Sequence, residues 1–511
     1  MADSVRARAA DTFTRARATL AWSPALAGAR QALDNLERQL TEPMRIALVG
    51  RISSGKSTLV NALLSSEVTA TGAEELTFNI NWLRYADQPS LTVRFRDGHS
   101  EPRDLAELRL LTVRDEADRE LLASIDYLTV GLPNPTLKIY DLIDTPGLDS
   151  HLRADSENTL RLMRRSGADL QTATLEHAAR ADAVVLVFCR GLAATDEELI
   201  GDLQNTALST ATPLTAIGAL TKVELFWPQH PEPLVEGRRV AERMLNAAGA
   251  RRMLYDLRPV ASKIDAAAAT FTEQEFHHLV MLAQVAPATL QSKLKRGPYF
   301  RERDYPELPV AVAARAALFD RFSGYGVHLA CSLIRDGVSE PAALRDELAT
   351  RSGMAEFRKL LTDHFGNRAD LIKLRHAIDQ VHALPRQLGS TLDSRDRHTL
   401  ATAIAEFRAF DINEHGFDEL RVIRQYYNGA LAFSPAQVEE LLRITGEHGT
   451  DPASRLGLAP GSSPDDIASA ARQRLEHWAG VAIDPIYGGP TRRAAQILRR
   501  SYELLLLSVP R

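Results

Sequence analysis

A doubly wound α/β domain with a mostly parallel sheet, joined to an all-α region, is the fold this sequence predicts, on three observations. Short apolar runs recur through the first half, helical segments separate most of them, and beyond Asp265 the chain reads almost wholly helical. Strands that alternate with helices build a parallel sheet covered on both faces, with ligands at the carboxyl ends of its strands.

In chain order, residues 4–41 carry helical periodicity in two pieces, broken at Ser23-Pro24. Residues 44–49 (MRIALV) follow as a short apolar run closed by Gly50, the pattern of a strand buried on both faces. Comparable runs at 137–143, 183–188, 214–220 and 259–261 predict further strands. Residues 78–85 (FNINWLRY) and 91–96 (LTVRFR) add two more, the second followed by Asp97-Gly98 as a turn signal. Past Asp265, Gly297-Pro298, Tyr305-Pro306, Gly324, Gly337, Pro385, Gly389, Ser434-Pro435 and Gly488-Gly489-Pro490 punctuate the helices.

The 511 residues exceed one ordinary core, so two or three domains are expected. A formal net charge of −5 argues against bulk binding to nucleic acid. Cys189 and Cys331, the two cysteines, make no disulfide framework and lack metal-ligand spacing. Cys189 closes an apolar run and is expected in the core. No apolar run approaches the ~18–20 residues that cross a bilayer. The first residues lack the apolar stretch of a secretory signal, so a cytoplasmic protein is expected.

The chemistry is concentrated after the first strand. Gly50-Arg51-Ile52-Ser53-Ser54-Gly55-Lys56-Ser57-Thr58 matches G-x-x-x-x-G-K-[ST] between a strand and a helix. Gly50 and Gly55 let backbone N–H groups wrap a β-phosphate, Lys56 sets a cation on the β- and γ-phosphates, and the Ser57 hydroxyl ligates Mg²⁺. Asp144-Thr145-Pro146-Gly147 ends a later strand. An acid there holds the Mg²⁺ shell through water, and the Gly147 N–H meets the γ-phosphate as a switch. Thr77, before the next strand, is the candidate for the threonine that ligates Mg²⁺ and orients the attacking water, with Thr69 and Thr71 as rivals.

Thr221-Lys222-Val223-Glu224 stands where a base-reading [NT]-K-x-D element belongs, with glutamate in place of aspartate. A carboxylate accepts from guanine N1–H and N2–H₂, and the lysine stem lies along the base. Ala261-Ser262-Lys263 completes the set with a backbone N–H for guanine O6. Arg51 could contact the phosphates of its own or a facing subunit, or hold the loop. These residues predict Mg²⁺-dependent binding and hydrolysis of GTP.

RIALVGRISSGKSTLVNALL, EELTFNINWLRY, IDTPGLDS and the late SGMAEFRKLLTDHFGNRADLIKLRHAI, with a helical pair before the phosphate loop, resemble the bacterial dynamin-like GTPases, in particular their actinobacterial isoniazid-inducible branch. The resemblance implies a GTPase domain over about 42–366, with a helical insertion over about 266–350. It implies an all-α neck and short stalk made of residues 1–41 and 367–511. It also implies a catalytic role for Ser53 beside Lys56, Thr77 and Gly147, a GTP-dependent homodimer or a heterodimer with another dynamin-like protein, and peripheral work at the inner face of the cell membrane. Three departures stand out. Ile52 occupies the place of a glutamine, Glu224 replaces aspartate, and C-terminal helices of 15–20 residues would reach roughly 30 Å, short of a full dynamin trunk.

Three segments carry weaker signals. Residues 293–301 (KLKRGPYFR) mix basic and aromatic side chains, and the last helix sets Arg492, Arg493, Arg499 and Arg500 against Leu504 to Leu507. Either could meet anionic lipid, though a solvated loop and a neck helix explain them as well. Residues 455–507 trace the outline of a J-domain with Ile483-Asp484-Pro485-Ile486 where its His-Pro-Asp triplet belongs, and read as a three-helix packing pattern.

Overall fold

The computed structural model describes residues 2–69, 79–112, 119–147, 181–189, 212–246, 250–388 and 392–509. The chain divides into two units, one of residues 45–211 and 216–360, the other of residues 1–44, 212–215 and 361–511.

The first unit is built on a mixed, mostly parallel sheet. Its strands are β1 (Met44–Gly50), β2 (Asn81–Tyr85), β3 (Ser90–Phe95), β4 (Ser100–Arg103), β5 (Ile125–Leu132), β6 (Tyr140–Asp144), β7 (Ala183–Cys189), β8 (Ala216–Thr221) and β9 (Leu257–Pro259). Among the described residues they lie in the order β4-β3-β5-β2-β6-β1-β7-β8-β9. β1, β7, β8 and β9 run parallel, as do β2 and β5; β2 with β6, and β3 with both β4 and β5, are antiparallel. Every residue of β1, β6 and β8 is buried, which is why residues 46–49 and 216–220 read as apolar runs, while β6 buries Asp141 and Asp144 beside its apolar residues. β3 instead turns Leu91, Val93 and Phe95 inward with period two. β4 is the polar edge strand and tolerates Pro102 there, because an edge residue need not donate to a ladder.

A buried ion pair fixes the central register. The Asp182 N–H, just before β7, donates to the Arg45 carbonyl in β1, the Arg45 N–H donates to the Asp182 carboxylate at 2.9 Å, and that carboxylate also accepts from the Arg45 guanidinium at 3.3 Å. Helices at Glu273–Ala283, Pro287–Leu294, Pro298–Glu302, Val312–Arg335 and Pro341–Thr350 follow the sheet in this unit.

Expected strand limits shift at several places, and the runs 78–85 and 91–96 are strands over Asn81–Tyr85 and Ser90–Phe95. Within 137–143 the strand begins only at Tyr140, because Pro135–Lys138 is a 3₁₀ turn capped by Asn134; Leu137 is apolar for burial and not for a ladder. Within 214–220 the strand begins at Ala216, since the Thr215 N–H closes a turn on Thr212. The run 259–261 belongs to β9 only at Pro259; the Val260 N–H still reaches Leu220, but the Ala261 N–H turns away to the Ser352 carbonyl. Cys189 ends β7 at intermediate exposure instead of lying in the core; Cys331 is the buried thiol, pushed up to about 12 by burial.

The helical unit opens with α1 (Ala2–Leu20) and α2 (Ala27–Thr41), separated by a 3₁₀ turn whose Pro24 prevents a continuous helix. They pack with helices Ala369–Leu388 and Ser394–Asn413, and the Phe13 and Phe407 rings meet edge-on at 4.8 Å. Lys373 donates to the carbonyls of Leu40 and Glu42, a cation at the negative end of α2. A π-helical turn, Thr362–Gly366, buries His364 beside Arg368; burial, then the Arg368 cation, holds the imidazole well below its usual range, so it is neutral at pH 7. Pro452–Leu456, Pro464–Ile483 and Gly489–Ser508 are the three helices of the J-like stretch, and Trp478 is buried with its indole N–H on Glu440 at 3.0 Å.

The basic candidate at 293–301 is largely committed to its own unit. Lys293 pairs with Glu307 at 2.7 Å over the Tyr305 ring, Arg301 pairs with Asp320, and Phe300 is fully buried. No helix among the described residues is long and apolar enough to cross a membrane.

Candidate functional site

β1 delivers the chain to the loop at Gly50, and its close packing demands glycine: a Cβ there would lie 2.4 Å from the Val187 carbonyl oxygen. Ser53 (φ 57°) and Gly55 (φ 93°) take left-handed conformations that turn the loop into the helix Lys56–Leu64. The loop therefore presents its N–H groups at a helix N-terminus, which favours anions. Lys56 is 6% exposed and folds back, its Nζ donating to the Gly50 and Arg51 carbonyls at 3.1 and 2.9 Å. Arg51 and Thr58 are half-buried, and Ser54 is buried with no hydrogen-bond partner for its Oγ among the described residues.

Asp144 ends β6 fully buried, and its Oδ2 accepts from Ser57 Oγ at 2.9 Å. Its Oδ1 has no hydrogen-bond partner among the described residues. Burial pushes this carboxyl up to about 6, while the Lys56 cation and the Ser57 hydroxyl hold it down. An unshared carboxylate oxygen and a hydroxyl in one buried place are hard oxygen donors, the set that fits Mg²⁺ completed by water and phosphate. Thr145 next to it donates to the Leu48 carbonyl at 2.6 Å, tying the strand end to β1. Gly147 lies directly against the phosphate loop: a Cβ would stand 2.6 Å from both the Cα and the N of Ile52.

At the far end of the loop, Thr221 Oγ1 lies 2.5 Å from the Ser54 carbonyl and 2.9 Å from that of Phe188. Lys222 takes a left-handed conformation (φ 57°), and its Cε would be 3.9 Å from a Cβ placed on Gly55, so its stem runs beside the phosphate loop. A lysine held in this region is uncommon and marks a constrained position. Glu224 is 3% exposed in the following 3₁₀ turn. Burial lowers the Lys263 ammonium from its ordinary range, and the Glu224 carboxylate is the first group opposing that shift. Ser262, buried, and Lys263 open the helix Ser262–Ala269.

The structure thus brings Gly50 to Ser57, Asp144, Gly147 and Thr221 into one contact set, with Lys222 and Glu224 in the turn after β8 and Ser262 and Lys263 in the first turn of the helix after β9. Thr77 and Thr71 lie outside the described residues. Thr69 is described and is otherwise engaged. Asn61 Oδ1 accepts from the Val68 and Thr69 backbone, Asn61 Nδ2 donates to the Thr69 carbonyl, and Thr69 Oγ1 lies 3.0 Å from the Ser57 carbonyl and 2.9 Å from Asn61 Oδ1.

Sequence reasoning missed the residues that hold the base-side loop. The Ala261 N–H donates to the Ser352 carbonyl at 2.8 Å, and Gly353 (φ 76°) has Pro259 so close that a Cβ would lie 2.8 Å from its carbonyl oxygen. Their signal was present in the SGMAEFRKLL stretch, read above only for its family likeness.

Residues 46–200 match the Dynamin family. Over 480 residues, 93% of this chain and 92% of its counterpart, the chain is 28% identical to isoniazid-induced protein IniC of Mycobacterium tuberculosis. It is 34% identical to dynamin-like protein 2 of Campylobacter jejuni over 119 residues, 23% of this chain and 19% of that protein. A chain from the structure of an oligomerised bacterial dynamin pair aligns over 94% of this chain and 87% of its own, with 13% identity and a TM-score of 0.31.

Proposed function

This chain belongs to the dynamin family through residues 46–200, and on that premise we propose that it binds Mg²⁺–GTP at the phosphate loop and hydrolyses it. The observation that carries the reading is the buried meeting of Ser57 and Asp144 beside Lys56, with one carboxylate oxygen unshared. Mg²⁺, held by Ser57 and through water by Asp144, would neutralise charge on the β- and γ-phosphates. Lys56 exchanges its two loop carbonyls for phosphate oxygens, while Gly50, Arg51, Ser53, Ser54, Gly55 and Thr58 shape the cradle. Thr221, Lys222, Glu224, Ser262 and Lys263 receive the base.

Ser53 and Gly147 are assigned to the hydrolytic step on the family's pattern, Gly147 through its N–H. Thr77 is assigned to the metal and the attacking water, an assignment favoured over Thr69 because the Thr69 hydroxyl already serves backbone and Asn61. Thr77→Ala should leave GTP affinity largely intact and lower phosphate release by about tenfold or more. Release measured under single-turnover conditions decides it; an unchanged rate moves the role to Thr71.

The finer reading is a GTPase of membrane maintenance that dimerises when loaded, as a homodimer or beside a longer dynamin-like partner. Its support is architectural. The helices Ala369–Leu388, Ser394–Asn413, Pro464–Ile483 and Gly489–Ser508 have 20 residues each, about 30 Å at 1.5 Å per residue. A lever of that length gives little displacement at a bilayer. With fluorescent liposomes and GTP, this chain alone should show no tethering, tubulation or lipid mixing. Robust activity in any of the three refutes the need for a partner.

A further inference from the structure

The phosphate side and the base side of the site are joined behind the nucleotide by one cluster. Asp265 lies in the first turn of the helix Ser262–Ala269, where a carboxylate favours the positive helix end. It is 2% exposed; its Oδ2 accepts from Arg358 at 2.5 Å and its Oδ1 from Ser352 Oγ at 2.9 Å. The same Arg358 donates to the Ala62 carbonyl and to Ser65 Oγ, in the last turn and cap of the phosphate-loop helix. There a cation meets the negative helix end. Ser352 in turn holds the Ala261 N–H, the residue at which the base-side loop enters its helix. Burial pushes the Asp265 carboxyl up, while Arg358 and Ser352 hold it down, which is the signature of a buried pair that depends on its partners.

The last turn of the helix Lys56–Leu64 and the first turn of the helix Ser262–Ala269 are thus anchored to each other through Arg358 and Asp265. We infer that Arg358, Asp265 and Ser352 form a positioning clamp that sets the spacing between the phosphate cradle and the guanine-reading loop, and so governs how long a guanine nucleotide stays bound. The inference rests on the function proposed above. None of the three side chains is assigned a contact with the nucleotide, so their effect runs through the two helices. Arginine suits the task because its planar fork can serve a carboxylate and a carbonyl together, which an ammonium on a flexible stem does less well.

The test is the release rate of a fluorescent GDP from the full chain, read beside its melting temperature. Arg358→Gln should speed release about tenfold, the scale of losing one hydrogen bond to a charged group. Because that change strands a buried carboxylate, the double variant Asp265→Asn with Arg358→Gln serves as the matched control, and Arg358→Lys as the conservative one. The expected result is fast release from the double variant even when it melts like the wild type, with Arg358→Lys intermediate. A double variant that melts and releases GDP like the wild type overturns the clamp. If the double variant melts lower, Arg358→Lys decides, and wild-type release from it overturns the clamp. A wild-type chain that binds no GDP fails the functional reading itself, and is told apart because no variant is then needed.

Discussion

Lys56→Ala should abolish measurable GTP binding while leaving the melting temperature of the nucleotide-free chain close to that of the wild type. The ammonium is the cation assigned to the β- and γ-phosphates, in a cradle otherwise made of backbone. Two hydrogen bonds to charged groups, at about 1.5–3 kcal/mol each, correspond to roughly a hundredfold to ten-thousandfold in affinity. Lys56 Nζ donates to the Gly50 and Arg51 carbonyls of its own loop, partners that lie within the site itself. Fluorescent-nucleotide titration beside a thermal melt checks both halves. Retained affinity would remove Lys56 from the phosphate site.

Gly147→Ala should be the second severe change, and its effect should discriminate between nucleotides. The added methyl would stand 2.5 Å from Ile52 Cγ1 and 2.6 Å from the Ile52 Cα and N. Two of these atoms are backbone of the phosphate loop, so the clash cannot be relieved by a rotamer. Overpacking of this kind costs about 1–3 kcal/mol, and relief requires the segment after Asp144 to lift off the loop. A segment that senses the γ-phosphate would then be misplaced. Affinity for a non-hydrolysable GTP analogue should fall about tenfold or more, with a smaller loss for GDP. Equal losses for both would mean that Gly147 supports the loop without sensing the γ-phosphate.

Ile52 gives this contact a second meaning. It stands where the family carries a glutamine, and its backbone is the surface on which Gly147 rests. The position thus has a steric duty that a sequence comparison of side chains does not register.

What was legible in the sequence follows from burial. β1, β7 and β8 are covered on both faces, and their unbroken apolar runs announce them. The phosphate loop is legible because its glycines answer to steric demands that other residues meet poorly. β4 and β5 went unread for opposite reasons. β4 is the edge segment Ser-Glu-Pro-Arg, with no apolar face to detect. β5 buries Ile125, Leu128 and Val130, but a register irregularity between Arg94 and Phe95 of β3 breaks the alternation between 125 and 128, so no clean period of two runs through 125–132. The base-side anchor was hidden because its two halves, Ala261 with Asp265 and Ser352 with Arg358, are far from each other in sequence and act partly through main-chain groups. No spacing rule connects them. Thr69 shows the converse: its position fits a switch threonine, yet Asn61 and the Ser57 carbonyl account for its hydroxyl.

The central claim is that a buried glutamate, one methylene longer than the usual aspartate, still selects guanine. Glu224 can accept from the guanine N1–H and N2–H₂, groups that adenine lacks. Calorimetric titration of the nucleotide-free chain with GDP and with ADP, both with Mg²⁺, tests it most directly. The account predicts that GDP binds roughly tenfold to a hundredfold more tightly, the worth of about 1.5–3 kcal/mol for a hydrogen bond to a charged group. Equal affinities for GDP and ADP would contradict it and leave a nucleotide-binding site without a guanine preference.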